Sequence, residues 1–197
     1  MKRFVFLEFL DPEIRSLLTQ LKEIFTGKKS QSHIHITIRG PYPEPLPAEL
    51  LEFTESRIRK DVLLISGIGL FNNNKSHVVY IKVHSRNLKR IWWKKDFPFN
   101  PHITLYEGED AFLAKEIFHF LKREHIELVS HNFRVAEYAS GQLEVFYEEN
   151  DIPRVSVQKL VESENIKEDL LIRAQALVKA YRVNLDSENQ HRGLIGS

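Results

Sequence analysis

The order of apolar and polar positions divides the chain into strands and helices before any chemistry is considered. Residues 3–9, Arg-Phe-Val-Phe-Leu-Glu-Phe, are apolar on both alternating faces, the pattern of a strand covered on two sides and central in its sheet. Asp11-Pro12-Glu13 then reads as an N-cap, a proline at the first helical position and an acidic first turn. The helix it opens carries Leu17, Leu18, Leu21, Ile24 and Phe25 and stops at Gly27. Residues 33–39 alternate strictly, which predicts a half-buried strand ended by Gly40. A stiff proline-rich loop over 41–47 and a short helix through Leu50, Leu51, Phe53 and Ile58 follow.

Strands are expected at 62–70 and 77–83, joined by a turn at Asn72-Asn73-Asn74, since asparagine tolerates left-handed backbone. Ser85 is placed to cap a short basic helix over 86–94. Residues 102–106 alternate again until Gly108, and Asp110 caps a helix bearing Phe112, Leu113, Ile117, Phe118 and Leu121. Strands at 132–138 and 143–148, turning at Ser140-Gly141, complete this part. Two similar halves result, each with strands, helices and one short His-x-Thr strand, so the fold class is α+β with an internal duplication.

Beyond the short linker Asp151-Ile152-Pro153 the pattern changes. Leu170, Leu171, Ala174, Leu177, Val178 and Tyr181 share one face at helical spacing, and the last ten or so residues, polar and glycine-containing, read as loose. The organisation is therefore a domain over 1–150 and a C-terminal helical extension over 151–197. The apolar stripe must be covered, either by the protein's own core or by a partner in an oligomer.

Composition narrows what such a chain can do. Of 197 residues 42% are hydrophobic and 28% charged, and 28 Lys+Arg against 27 Asp+Glu leave a formal +1, too balanced to bind nucleic acid or a membrane by bulk charge. With no Cys, disulfides, thiolate zinc sites and cysteine nucleophiles are out of the question, and a reducing cytoplasm is the expected setting. The apolar start of the chain is interrupted by Glu8 and ended by Asp11-Pro12, short of a secretion signal. No stretch approaches the roughly 18 apolar residues of a membrane helix.

Chemistry concentrates in two matching segments, His35-Ile36-Thr37-Ile38 and His102-Ile103-Thr104-Leu105. On a strand, His35 and Thr37 project to one face while Ile34, Ile36 and Ile38 enter the core, and the second segment repeats this. Each strand offers an imidazole and a hydroxyl about 6.6 Å apart along the backbone, a span that one phosphate could bridge. Arg39 shares the same alternation and is a candidate phosphate contact, while Tyr42 and Tyr106 follow the motifs closely enough to stack a base. Arg86, Lys89, Arg90, Lys94 and Lys95 around Trp92-Trp93 form a basic and aromatic mixture of the kind used on single-stranded nucleic acid. A competing reading pairs His33 with His35 as zinc ligands, which needs a third His or carboxylate and leaves both threonines unused.

In these two motifs, in the extended form Phe99-Asn100-Pro101-His102-Ile103-Thr104-Leu105 and in the order of elements over about 1–148, the chain resembles the two-histidine (2H) phosphoesterases. That superfamily includes 2′,3′-cyclic phosphodiesterases and the enzymes called 2′-5′ RNA ligases. In the first motif His33 replaces the proline often found there, which leaves His33 open to a substrate-binding role. The resemblance implies two pseudo-symmetric lobes around a central groove. It implies a phosphodiester of a nucleotide or RNA end as substrate, hydrolysed without metal or other cofactor. One neutral imidazole of His35 and His102 would act as base and the other, protonated, as acid, with Thr37 and Thr104 holding the non-bridging oxygens. A non-enzymatic alternative uses the same groove to bind a nucleotide or RNA end without turnover, as a sensor or sponge.

Overall fold

The computed structural model describes residues 2–30, 32–72, 76–92, 98–139 and 160–194, the last with side chains over 167–185. Outside them lie the expected turn at Asn73 and Asn74, the Trp93, Lys94 and Lys95 part of the basic segment, the 143–148 strand with its Ser140-Gly141 turn, and the Asp151–Pro153 linker. The described chain is a mixed α+β structure of five helices and two antiparallel sheets.

The first sheet has the order β2-β1-β7, from β1 (Arg3–Phe9), β2 (His35–Tyr42) and β7 (Phe133–Ala139). Its central strand is the one apolar on both faces. Val5, Leu7 and Phe9 are buried on one side and Phe6 on the other, where Glu8 is also only 2% exposed and accepts a hydrogen bond from Arg134 Nε at 2.8 Å. The second sheet has the order β5-β4-β3-β6, from β3 (Leu63–Asn72), β4 (His77–His84), β5 (His102–Gly108) and β6 (Glu127–Ser130). Each sheet mixes strands from the two halves of the sequence, since β7 closes the first sheet and β3 lies within the second. The two motif strands, β2 and β5, are edge strands among the described residues and approach one another.

Helix α1 (Pro12–Thr26) ends as expected at Gly27, whose φ of 68° is the left-handed cap conformation. Asp11 stands at its N-cap, but its carboxylate does not cap. It accepts instead from Ser130 Oγ, tying α1 to β6. Asp110 does cap α4 (Ala111–Arg123), accepting from the Phe112 and Leu113 amides at 3.0 and 2.9 Å. Helix α2 spans Ala48–Ile58, and the basic helix shrinks to one turn, α3 (Leu88–Ile91), with Leu88 and Ile91 buried and Lys89 and Arg90 exposed.

Two expectations are corrected here. Gly40 does not end β2, which continues to Tyr42. Gly40 adopts φ 119°, where a Cβ would sit 2.7 Å from the Arg3 carbonyl, so glycine lets the strand bend and stay paired. The tail is not loose through its last ten residues, because α5 (Leu160–Leu194) continues to Leu194. Its Glu, Gln and Arg residues favour helix, and the first glycine comes only at Gly193.

The stripe on α5 is covered by the protein itself. Leu170, Ala174 and Val178 are buried in the same core cluster as the sheets, with Leu171, Leu177 and Tyr181 packed at its margin. Helix α5 lies against α1 and α4. Lys167 donates to Glu13 at 2.8 Å, Arg173 to Glu124 at 2.6 Å, and the Tyr181 hydroxyl to the Asp110 carboxylate at 2.9 Å. These exposed ion pairs add little to stability, and the apolar stripe carries the docking. Among the described residues no helix is long and apolar enough to cross a membrane.

Candidate active site

The two motif strands share an irregularity that their sequences do not announce. Phe6 pairs with Thr37 and Val5 with Arg39, so Ile38 is an extra residue on β2. Tyr80 pairs with Thr104 and Val79 with Tyr106, so Leu105 is an extra residue on β5. Each strand therefore bulges at the residue after the motif threonine, and each bulged side chain is buried. A one-residue insertion reverses the facing of all that follows.

That reversal corrects three expectations. Arg39 lies opposite core-facing Val5, away from the face of His35 and Thr37, and its guanidinium stacks over the Tyr42 ring at 5.0 Å. Tyr42, opposite Arg3, donates its hydroxyl to Glu137 at 2.5 Å. Burial and this carboxylate hold the phenol protonated well above its usual range. Tyr106 joins Val79 in the core at 5% exposure and cannot stack a base.

The four motif residues do come together. A single cavity of about 50 Å³ is lined by His35, Thr37, His102 and Thr104, with His33, Ile34, Ile103 and Lys22 completing its wall. It has room for a group of a few heavy atoms, so a phosphate enters it and a nucleoside stays in the open groove outside. Neither threonine hydroxyl forms a hydrogen bond within the described residues, which leaves both for a ligand.

The imidazoles are oriented by the same device twice. His35 Nδ1 lies 2.6 Å from the His33 carbonyl and His102 Nδ1 lies 2.7 Å from the Asn100 carbonyl, each two residues upstream. A carbonyl only accepts, so Nδ1 carries the proton in both rings and proton exchange falls to Nε2. Aromatic rings fix the planes. Phe6 stacks on His35 at 3.9 Å between centroids, and His102 meets Tyr80 at 4.7 Å and Phe71 at 5.4 Å. Gly69 permits this arrangement, since a Cβ there would fall 2.2 Å from the Tyr80 ring.

Electrostatics favour a neutral His35. Burial pushes its pKa down to about 4, against the bond to the His33 carbonyl. The Lys22 ammonium and His33 lower it further, and Glu8 raises it. The unfolded chain protonates this residue near 6.5, so the folded state binds fewer protons between about 4 and 6.5. The stability from the neutral ring is therefore complete above pH 6.5 and is lost as pH falls to about 4, on the order of 3 kcal/mol in total. Urea midpoints of wild type and His35→Gln across this window should show the steeper acid loss in wild type. Parallel curves would refute the assignment.

The residues that the sequence alone did not reveal are Lys22, from α1, and the supports Phe6, Tyr80 and Asn100. Lys22 falls on the partly exposed side of an ordinary amphipathic helix, and only the packing of α1 beside β5 brings it to the cavity. The zinc alternative finds no third ligand, because no group of three His, Cys, Asp or Glu is placed to hold a metal among the described residues. Compared with family models, curated proteins and solved structures, the chain has no match in any of the three.

Proposed function

We propose that this chain is a phosphodiesterase of the two-histidine type, acting on a nucleotide or RNA-end phosphodiester without a metal. The observation that carries the reading is the one small cavity lined by both imidazoles and both free threonine hydroxyls. The repeated bulge after each threonine and the repeated Nδ1 contact two residues upstream support an internal duplication with a pseudo-symmetric groove. Two oriented imidazoles and two donors around a phosphate-sized space make a proton-transfer site.

In this reading the phosphate enters between β2 and β5 and its nucleoside lies along the groove. Neutral His35 takes a proton from water on Nε2 as the water oxygen attacks phosphorus. His102, protonated on both nitrogens, gives its Nε2 proton to the leaving ribose oxygen as the P–O bond breaks. Thr37 and Thr104 donate to the non-bridging oxygens, where negative charge grows in the transition state. The products are a phosphomonoester and a free hydroxyl, and a proton exchange with solvent resets the pair. The rate should be bell-shaped in pH, with both limbs belonging to the coupled pair.

A panel of 2′,3′-cyclic nucleotides, 2′-5′ oligonucleotides and cyclic dinucleotides, incubated with the full chain in excess EDTA and resolved by chromatography, tests the reading. Cleavage of at least one class is expected. Ligands that bind and are recovered unchanged would leave a sensor, and activity that EDTA abolishes would revive a metal site.

A further inference from the structure

Lys22 stands outside both motifs, yet it lines the same cavity. It is contributed by α1, so it reaches the phosphate position from a third direction, beside neither threonine in sequence. Among the described residues lining the cavity it is the one Lys or Arg, and the two imidazoles can supply only a charge that they exchange during the reaction. Its ammonium donates to Ser32 Oγ at 2.9 Å, which fixes the end of the flexible stem and uses one of its three N–H donors. No carboxylate forms an ion pair with it within the described residues, although Glu107 acts on it from a distance.

We propose that the Lys22 ammonium is the permanent cation of the anion site, gripping a non-bridging oxygen from the α1 side while Thr37 and Thr104 hold the phosphate from the two strands. This rests on the phosphodiester reading of the same cavity. The cost of holding an ammonium out of water without a counter-ion is recovered when an anion enters, and burial accordingly lowers its pKa when the site is empty of charge. The transition state of diester hydrolysis carries one more negative charge on its equatorial oxygens than the ground state needs neutralised by hydroxyls alone. A fixed positive charge therefore serves the rate as well as binding.

Titration calorimetry of the full chain with inorganic phosphate at constant ionic strength tests this. Wild type, Lys22→Met, Lys22→Gln and the exposed control Lys28→Met would be compared, each checked for native circular dichroism. The Gln variant keeps a polar end that can still meet Ser32, which separates loss of charge from loss of shape. Phosphate should bind wild type and Lys28→Met alike, and its Kd should rise at least about tenfold in both Lys22 variants. A change below about twofold in either folded Lys22 variant, or no phosphate binding to wild type, overturns the assignment. Lys22-dependent phosphate binding together with no cleavage of any diester keeps this anchor and removes the hydrolase reading.

Discussion

Replacing His35 or His102 with alanine is expected to lower kcat by about 10²–10⁴-fold, and replacing both to cost little more than the worse single change. Each ring completes a transfer that the other begins: His35 without an acid opposite generates an attacking oxygen with no exit for the leaving group, and His102 without a base protonates an oxygen that nothing displaces. Both sit in ordered settings, stacked on Phe6 or on Tyr80 and Phe71, so alanine removes a proton carrier without removing a core strand. Thr37→Val and Thr104→Val should each lower kcat with the fold intact, because each hydroxyl is one donor to the developing charge. Steady-state kinetics on the substrate found by the panel would check this. Strictly multiplicative losses in the double variant would mean that the histidines act independently and that the paired mechanism is wrong.

Deleting residues 155–197 is expected to unfold the chain or strip it of much of its stability. Helix α5 buries Leu170, Ala174 and Val178 in the common core and covers faces of α1 and α4. At about 1.5–3 kcal/mol for each large apolar side chain, with the facing residues counted, the loss is on the order of 5 kcal/mol. That is comparable to the whole stability of a typical domain, about 5–15 kcal/mol. Since α1 also carries Lys22, the phosphate site should weaken with it. Urea denaturation of the truncated and full chains measures the loss. An unchanged midpoint, with a shift from oligomer to monomer by light scattering, would instead make α5 an association element.

What the sequence reveals and what it hides follow from which forces are local. The alternation in 33–39 and 102–106 places the His-x-Thr pairs on strands, and Asp110 and Gly27 mark helix ends, because strand facing and capping depend on near neighbours. The bulges at Ile38 and Leu105 leave the pattern of residue types untouched while reversing the facing of Arg39, Tyr42 and Tyr106. Only the partner strand shows them. The short β6 starts with exposed Glu127 just after His125, which takes a left-handed φ of 48°, and has too little alternation to read. Pairing of β1 with β7 and delivery of Lys22 to the cavity are long-range consequences of packing, which no local window contains.

The central claim is that both imidazoles act on one phosphate. It is tested most directly by following 2′,3′-cyclic AMP by phosphorus NMR in excess EDTA, with wild type and with the double variant His35→Ala, His102→Ala. Wild type should convert the cyclic diester resonance into a single phosphomonoester resonance while the double variant leaves it unchanged over the same hours. Equal conversion by the two proteins would contradict the account, as would a wild-type chain inert toward this and every other diester offered.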